Sequence, residues 1–162
     1  MRLLNNSAAA RFHSQAALDL NPNIPAIHAE LGWAYAMKRM YAQALAEYEK
    51  IPKEDRVVGA ENQFVAGGLG WVYAVSGRQA DALNIAHQLE NLSSQTYVDF
   101  YMVAGIYAGL GDKDKAFRLL EEGYKQRSGG MVYLAVDVMW YDMHSDPRYG
   151  DLLRRIGLPQ PE

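Results

Sequence analysis

Leu31-Gly32-Trp33-Ala34-Tyr35-Ala36 returns almost letter for letter as Leu69-Gly70-Trp71-Val72-Tyr73-Ala74. A looser echo stands at Val103-Ala104-Gly105-Ile106-Tyr107-Ala108. An alanine follows nine residues after the tyrosine of each copy, at Ala44, Ala82 and Ala116. A period of roughly 20–50 residues marks a repeat architecture, in which one unit cannot bury its apolar face alone and must stack on the next.

The flanking sequence turns these copies into helix pairs. Residues 7–20 are alanine-rich, and Pro22 predicts an end near Leu20. Asn23 is a candidate cap for the next helix, with Pro25 in its first turn. That helix is expected to reach about Lys38, and its partner to run from Tyr41 to Ile51 before Pro52. Residues 53–60 read as an irregular connection. A helix ending at Ser76 with Gly77 as its left-handed stop follows, then one from Gln79 to about Asn91. Ser94 is expected to cap a helix reaching Leu110. Gly111 closes it, and Asp112 or Asp114 caps the next, Lys115 to Arg127. Ser128-Gly129-Gly130 is a break before an aromatic segment over 131–141. Asp146-Pro147 starts a last helix that ends at Gly157.

The glycines and alanines predict how the helices meet. Gly32 and Gly70 let the first helix of a pair approach the second, with Ala44, Ala82 and Ala116 as small partners across the contact. Tyr35, Tyr73 and Tyr107 then fill the gap to the neighbouring pair, since dense packing alternates small with large.

These positions resemble the tetratricopeptide repeat, whose pattern is W-x2-L-G-x2-Y, then A-x3-F, then P, over about 34 residues. Leu31, Gly32, Tyr35, Ala44 and Tyr48 match in one copy; Leu69, Gly70, Tyr73 and Ala82 in the next; Tyr107 and Ala116 in the third, where Leu120 replaces the aromatic. His28, Ala66 and Phe100 stand at the tryptophan position, and the closing proline is missing after each full copy. The resemblance covers residues 7–127. It implies an all-α, right-handed α-solenoid of about three and a half repeats: a half-repeat over 1–22, repeats over 23–58, 59–94 and 95–128, and a C-terminal capping segment over 129–162.

The tail is similar to the end of many bacterial tetratricopeptide proteins, through Tyr107–Asp112, Arg127-Ser128, Tyr133-Leu134, Ser145–Tyr149 and Leu152–Leu158. In that family such an array commonly follows a protein kinase, winged-helix or nucleotide-cyclase domain. The opening half-repeat leads to the expectation of a C-terminal piece of a longer protein.

Composition narrows the function classes. Hydrophobic residues make up 49% and charged residues 22%, a balance that suits a globular core. No apolar run approaches the roughly 20 residues that span a bilayer. There is no cysteine, so disulfide and thiolate chemistry are excluded. The formal charge of −3 and the scattered basic residues do not form the positive stripe of a nucleic-acid binder. A cytoplasmic location is expected, with neither membrane nor nucleic-acid partners.

Candidate chemistry is sparse. Gly67-Gly68-Leu69-Gly70 is a false phosphate loop, because Tyr73 occupies the place of the third glycine and no strand precedes it. His13, His28, His87 and His144 form no pair at ligand spacing, so no metal is expected. Asp137, Asp142 and Asp146 lack the calcium-loop pattern and read as turn and cap residues. No cofactor and no enzymatic activity are expected.

The resemblance places the first helix of each pair along a concave groove. Its equivalent positions are Ala29, Trp33 and Met37; Phe64, Gly67, Trp71 and Val75; and Val98, Tyr101, Gly105 and Gly109. Glycine within a helix costs about 1 kcal/mol against alanine, so Gly67, Gly105 and Gly109 on one face suggest close approach of another backbone. The expected function is non-catalytic binding of a protein peptide or helix on this apolar face. With Ala29 and Trp33 at the first clamp positions, a lysine–asparagine clamp for chaperone C-termini is argued against. One alternative is a self-associating regulatory or sensory module of a bacterial signalling protein, as a homodimer. Another is a small hydrolase or ligand-binding enzyme on the solenoid. Trp33 and Trp71 are groove anchors or core, and the tail residues Met139, Trp140 and Tyr141 could cover the groove.

Overall fold

A computed structural model describes residues 24–56, 58–59 and 61–160. Among these the regular structure is all helical, with no strand. The half-repeat over 1–22 and the Asn23 cap lie outside the described residues. No described helix is long and apolar enough to cross a membrane. The chain divides into two compact units, 1–57 and 58–162.

In the first unit α1 (Pro25–Met37) packs on α2 (Tyr41–Lys50). Pro25 sits at the first helical position, where its missing N–H costs nothing. Gly32 is the contact: a Cβ there would lie 2.8 Å from the Tyr48 ring. Ala44 and Tyr48 are fully buried. The 53–60 connection is not wholly irregular. It contains one helical turn, α3 (Lys53–Arg56), with Glu54 and Asp55 at its start.

The second unit holds α4 (Gln63–Val75), α5 (Gln79–Leu92), α6 (Phe100–Gly109) and α7 (Lys113–Gln126). A tail follows, made of two 3₁₀ segments, Gly129–Tyr133 and Val138–Met143, and α8 (Pro147–Ile156). Gly77, Gly111 and Gly157 hold positive φ just past α4, α6 and α8, the stops read from the sequence. α6 is the hub. It packs against α4, α5, α7 and both 3₁₀ segments, and Tyr101 to Tyr107 are all buried. A helix apolar on every side requires that.

The start of α6 corrects the sequence reading. Ser94 caps nothing there, because its hydroxyl bonds back to the Asn91 carbonyl. The cap is Asp99, whose side chain accepts from the Tyr101 N–H at 3.0 Å. Val98 therefore precedes the helix and is buried as a loop residue. The other caps follow the sequence: Asp112 accepts from the Lys115 N–H, and Asp146 from the Arg148 N–H.

Candidate functional site

The residues read as a binding groove serve mainly as packing. Ala29 is buried, while Trp33 and Met37 are half-buried in the first unit. In the second unit Trp71 is only 3% exposed. The Gly109 backbone lies against it, so that a Cβ there would stand 3.0 Å from both the indole and Ala74. Gly67 gives its space to Met102, at 2.7 Å from a built Cβ. Gly67 of α4 thus admits a side chain of α6, and Gly109 of α6 admits side chains of α4. Val75 is half-buried, and Phe64 alone of the set is well exposed.

Tyr101 and Gly105 are covered by the tail. A Cβ on Gly105 would meet the Met139 sulfur at 2.6 Å. Gly130 sits on the Tyr101 ring, 2.5 Å from it if a Cβ were added, a position only glycine fills. Trp140, fully buried, meets Tyr101 edge-on with ring centroids 5.1 Å apart.

Polar groups fasten this cover. The Tyr101 hydroxyl donates to the Asp137 carboxylate at 2.5 Å and accepts from the Trp140 indole N–H at 2.8 Å. Asp99 accepts from the Gly130 N–H at 3.2 Å while capping α6. The Tyr149 hydroxyl donates to the Leu134 carbonyl at 2.5 Å. Burial, then the charge of Asp137, raises the Tyr101 phenol far above its ordinary value, so it stays a neutral donor. Burial also pushes the Asp137 carboxyl up, against the lowering effect of the Tyr101 hydrogen bond. Sequence reasoning gave Asp137 a turn or cap role. Its side chain caps nothing and bonds Tyr101 instead. Asp99 was missed altogether, although an aspartate just before the apolar run 100–107 is a cap signal.

The acids of the tail make no metal cluster among the described residues. Asp146 is held by Arg148, which lowers its carboxyl to about 2, and the Asp142 carbonyl accepts from Lys113. His28 is buried and bonds Glu47 at 2.9 Å. An open cleft of about 460 Å³ lies between α7 and α8, with Arg148 stacked on Phe117. Two of its acids, Asp114 and Glu121, are already paired with Arg148 and Arg155.

Besides Leu83, Val136 and Tyr141, the exposed large apolar side chains of the second unit lie on a rim formed by the start of α4, the start of α6 and the first 3₁₀ segment. Gln63 joins these parts: its amide N–H donates to the Tyr97 carbonyl at 2.8 Å and its oxygen accepts from the Asp99 N–H. The Tyr97 hydroxyl reaches Ser128 at 3.4 Å. On this rim Phe64 is 48% exposed, Tyr97 56%, Val132 59% and Tyr133 57%. Comparison of the chain with protein-family models, with curated proteins and with solved structures finds no match.

Proposed function

We propose that the chain is a non-catalytic protein-binding module, an α-solenoid of tetratricopeptide-type helix pairs. It docks the apolar face of a partner's helix or peptide on the rim of Phe64, Tyr97, Val132 and Tyr133. The repeat reading is supported by α1–α2, α4–α5 and α6–α7, each a pair joined by a short turn. Ala44, Ala82 and Ala116 are fully buried at equivalent places in their second helices. The packing of α6 on α4 and α5 is what stacking of successive pairs requires.

The rim carries the binding reading. Four large apolar side chains lie about half exposed on elements tied together by hydrogen bonds. Tyrosine and phenylalanine supply contact area at low entropic cost, and such residues dominate binding hot spots. These exposed side chains support docking on the rim and not on the face of α6 that the tail occupies.

Affinity capture with the full chain, followed by titration of the recovered partner, tests the reading against Tyr133→Asp. Binding at least about tenfold weaker, or about 1.4 kcal/mol, with an unchanged melting temperature is expected. Equal binding by the variant overturns the rim. Light scattering separates the self-association reading: a dimer that Tyr133→Asp dissolves would make the partner a second copy of this chain.

A further inference from the structure

We infer that the Tyr101–Asp137–Trp140 junction makes closure of the tail over α6 respond to acid: proton uptake by Asp137 tightens the tail and proton loss loosens it. This does not rest on the partner-binding reading. Three side chains from two segments meet at one hydroxyl. Tyr101 comes from α6, Asp137 immediately precedes the second 3₁₀ segment, and Trp140 lies within that segment.

The carboxylate is the weak member. It is half-buried, and among the described residues its side chain has one hydrogen bond, from the Tyr101 hydroxyl at 2.5 Å. Its surroundings are Tyr101 from α6, Trp140 from its own segment and Tyr149 from α8. Among the described residues no cation is paired with Asp137. Burial and then the charge of Asp137 push Tyr149 up to about 12, so neither phenol ionises near neutrality. A carboxylate so placed loses hydration that a single neutral donor does not replace. Lifting the tail restores that hydration, so ionisation favours the open form.

The sign follows from linkage. The folded carboxyl is raised above its unfolded value, so the closed tail binds more protons than the open chain. The stability it contributes is full below the ordinary aspartate range, about pH 3.9, and is lost as pH rises through the raised value. Glu47, Glu121 and Asp146 are all lowered and act in the opposite sense at more acidic pH.

Thermal melting of the full chain and of Asp137→Asn across pH 4.5–7.5 tests this, together with the Trp140 indole N–H resonance. As pH falls from 7.5 to 4.5 the wild type should gain melting temperature relative to the variant. Its indole signal should titrate with the same midpoint and lose that titration in Asp137→Asn. Parallel melting curves, or an indole titration that survives the substitution, overturn the inference. Should Asp137→Asn fail to fold, Tyr101→Phe removes the one compensating donor. It must steepen the loss of stability with rising pH, and an unchanged slope refutes the latch.

Discussion

The two copies of the Leu-Gly-Trp stretch are nearly the same in sequence and are finished differently. Gly32 in the first unit receives a ring from its own pair, Tyr48 of α2. Gly70 in the second unit receives Ile106 of α6, 2.6 Å from a built Cβ, with Ile85 of α5 at 3.1 Å. The place that Tyr48 holds four residues after Ala44 is held by Ala86 after Ala82. Trp33 stays half-buried, whereas Trp71 is enclosed beside Gly109. A repeat motif specifies a helix and a gap. What fills the gap depends on the residues that follow, and a small side chain at the filler position admits the next helix.

The tryptophans give the largest test of this contrast. Trp71→Ala should cost about 3–5 kcal/mol by urea unfolding, the range for an enclosed aromatic, and Trp33→Ala clearly less. Equal losses would mean that the two copies are enclosed alike. The glycines come next. Gly32→Ala should cost about 1–3 kcal/mol, because its Cβ meets a fully buried, rigid ring. Gly70→Ala should cost less, since the nearest atom is the flexible end of Ile106, while the helix-propensity gain of about 1 kcal/mol is common to both sites. The reverse order of melting temperatures would remove the distinction.

Smaller effects sharpen the first unit. The Tyr48 hydroxyl is buried without a hydrogen-bond partner among the described residues, and burial alone raises its phenol. Tyr48→Phe should therefore be neutral or gain about 1 kcal/mol in chemical denaturation; a loss of that size would reveal a partner. Glu47 gives the smallest effect, below about 1 kcal/mol for a partly exposed pair. Burial raises its carboxyl, but hydrogen bonds from Lys50 and His28 outweigh this and leave it lowered. Its contribution is present above the ordinary glutamate range and fades as pH falls through the lowered value. Glu47→Gln should flatten that acid-side fall, in contrast to Asp137, and melts at pH 3–5 would show it.

The helices were largely legible because their signals are local. Pro25, Gly77, Gly111, Asp146-Pro147 and Gly157 act within a turn of where they stand. The buried face of α6 was not legible as such. Tyr101, Gly105 and Gly109 carry the spacing of an open groove, and only residues far along the chain, Met139 and Trp140, or back along it, Trp71, decide that the face is covered. The start of α6 was misjudged because Ser94 suits a cap, while the cap signal of Asp99, just before the apolar run, was passed over. The pairing of Asp137 with Tyr101 spans the third helix pair, beyond any motif.

Asp99 has a consequence for how the second unit breathes. One carboxylate oxygen accepts from the Tyr101 amide and the other from the Gly130 amide. Fraying of the first turn of α6 and detachment of the 3₁₀ segment therefore remove the same anchor. The two events are expected to form one cooperative opening unit, with the amide protons of Tyr101 and Gly130 exchanging at a shared free energy in hydrogen-exchange measurements. A single side chain thereby couples a helix terminus to a loop some thirty residues away, and neither is left to fluctuate on its own.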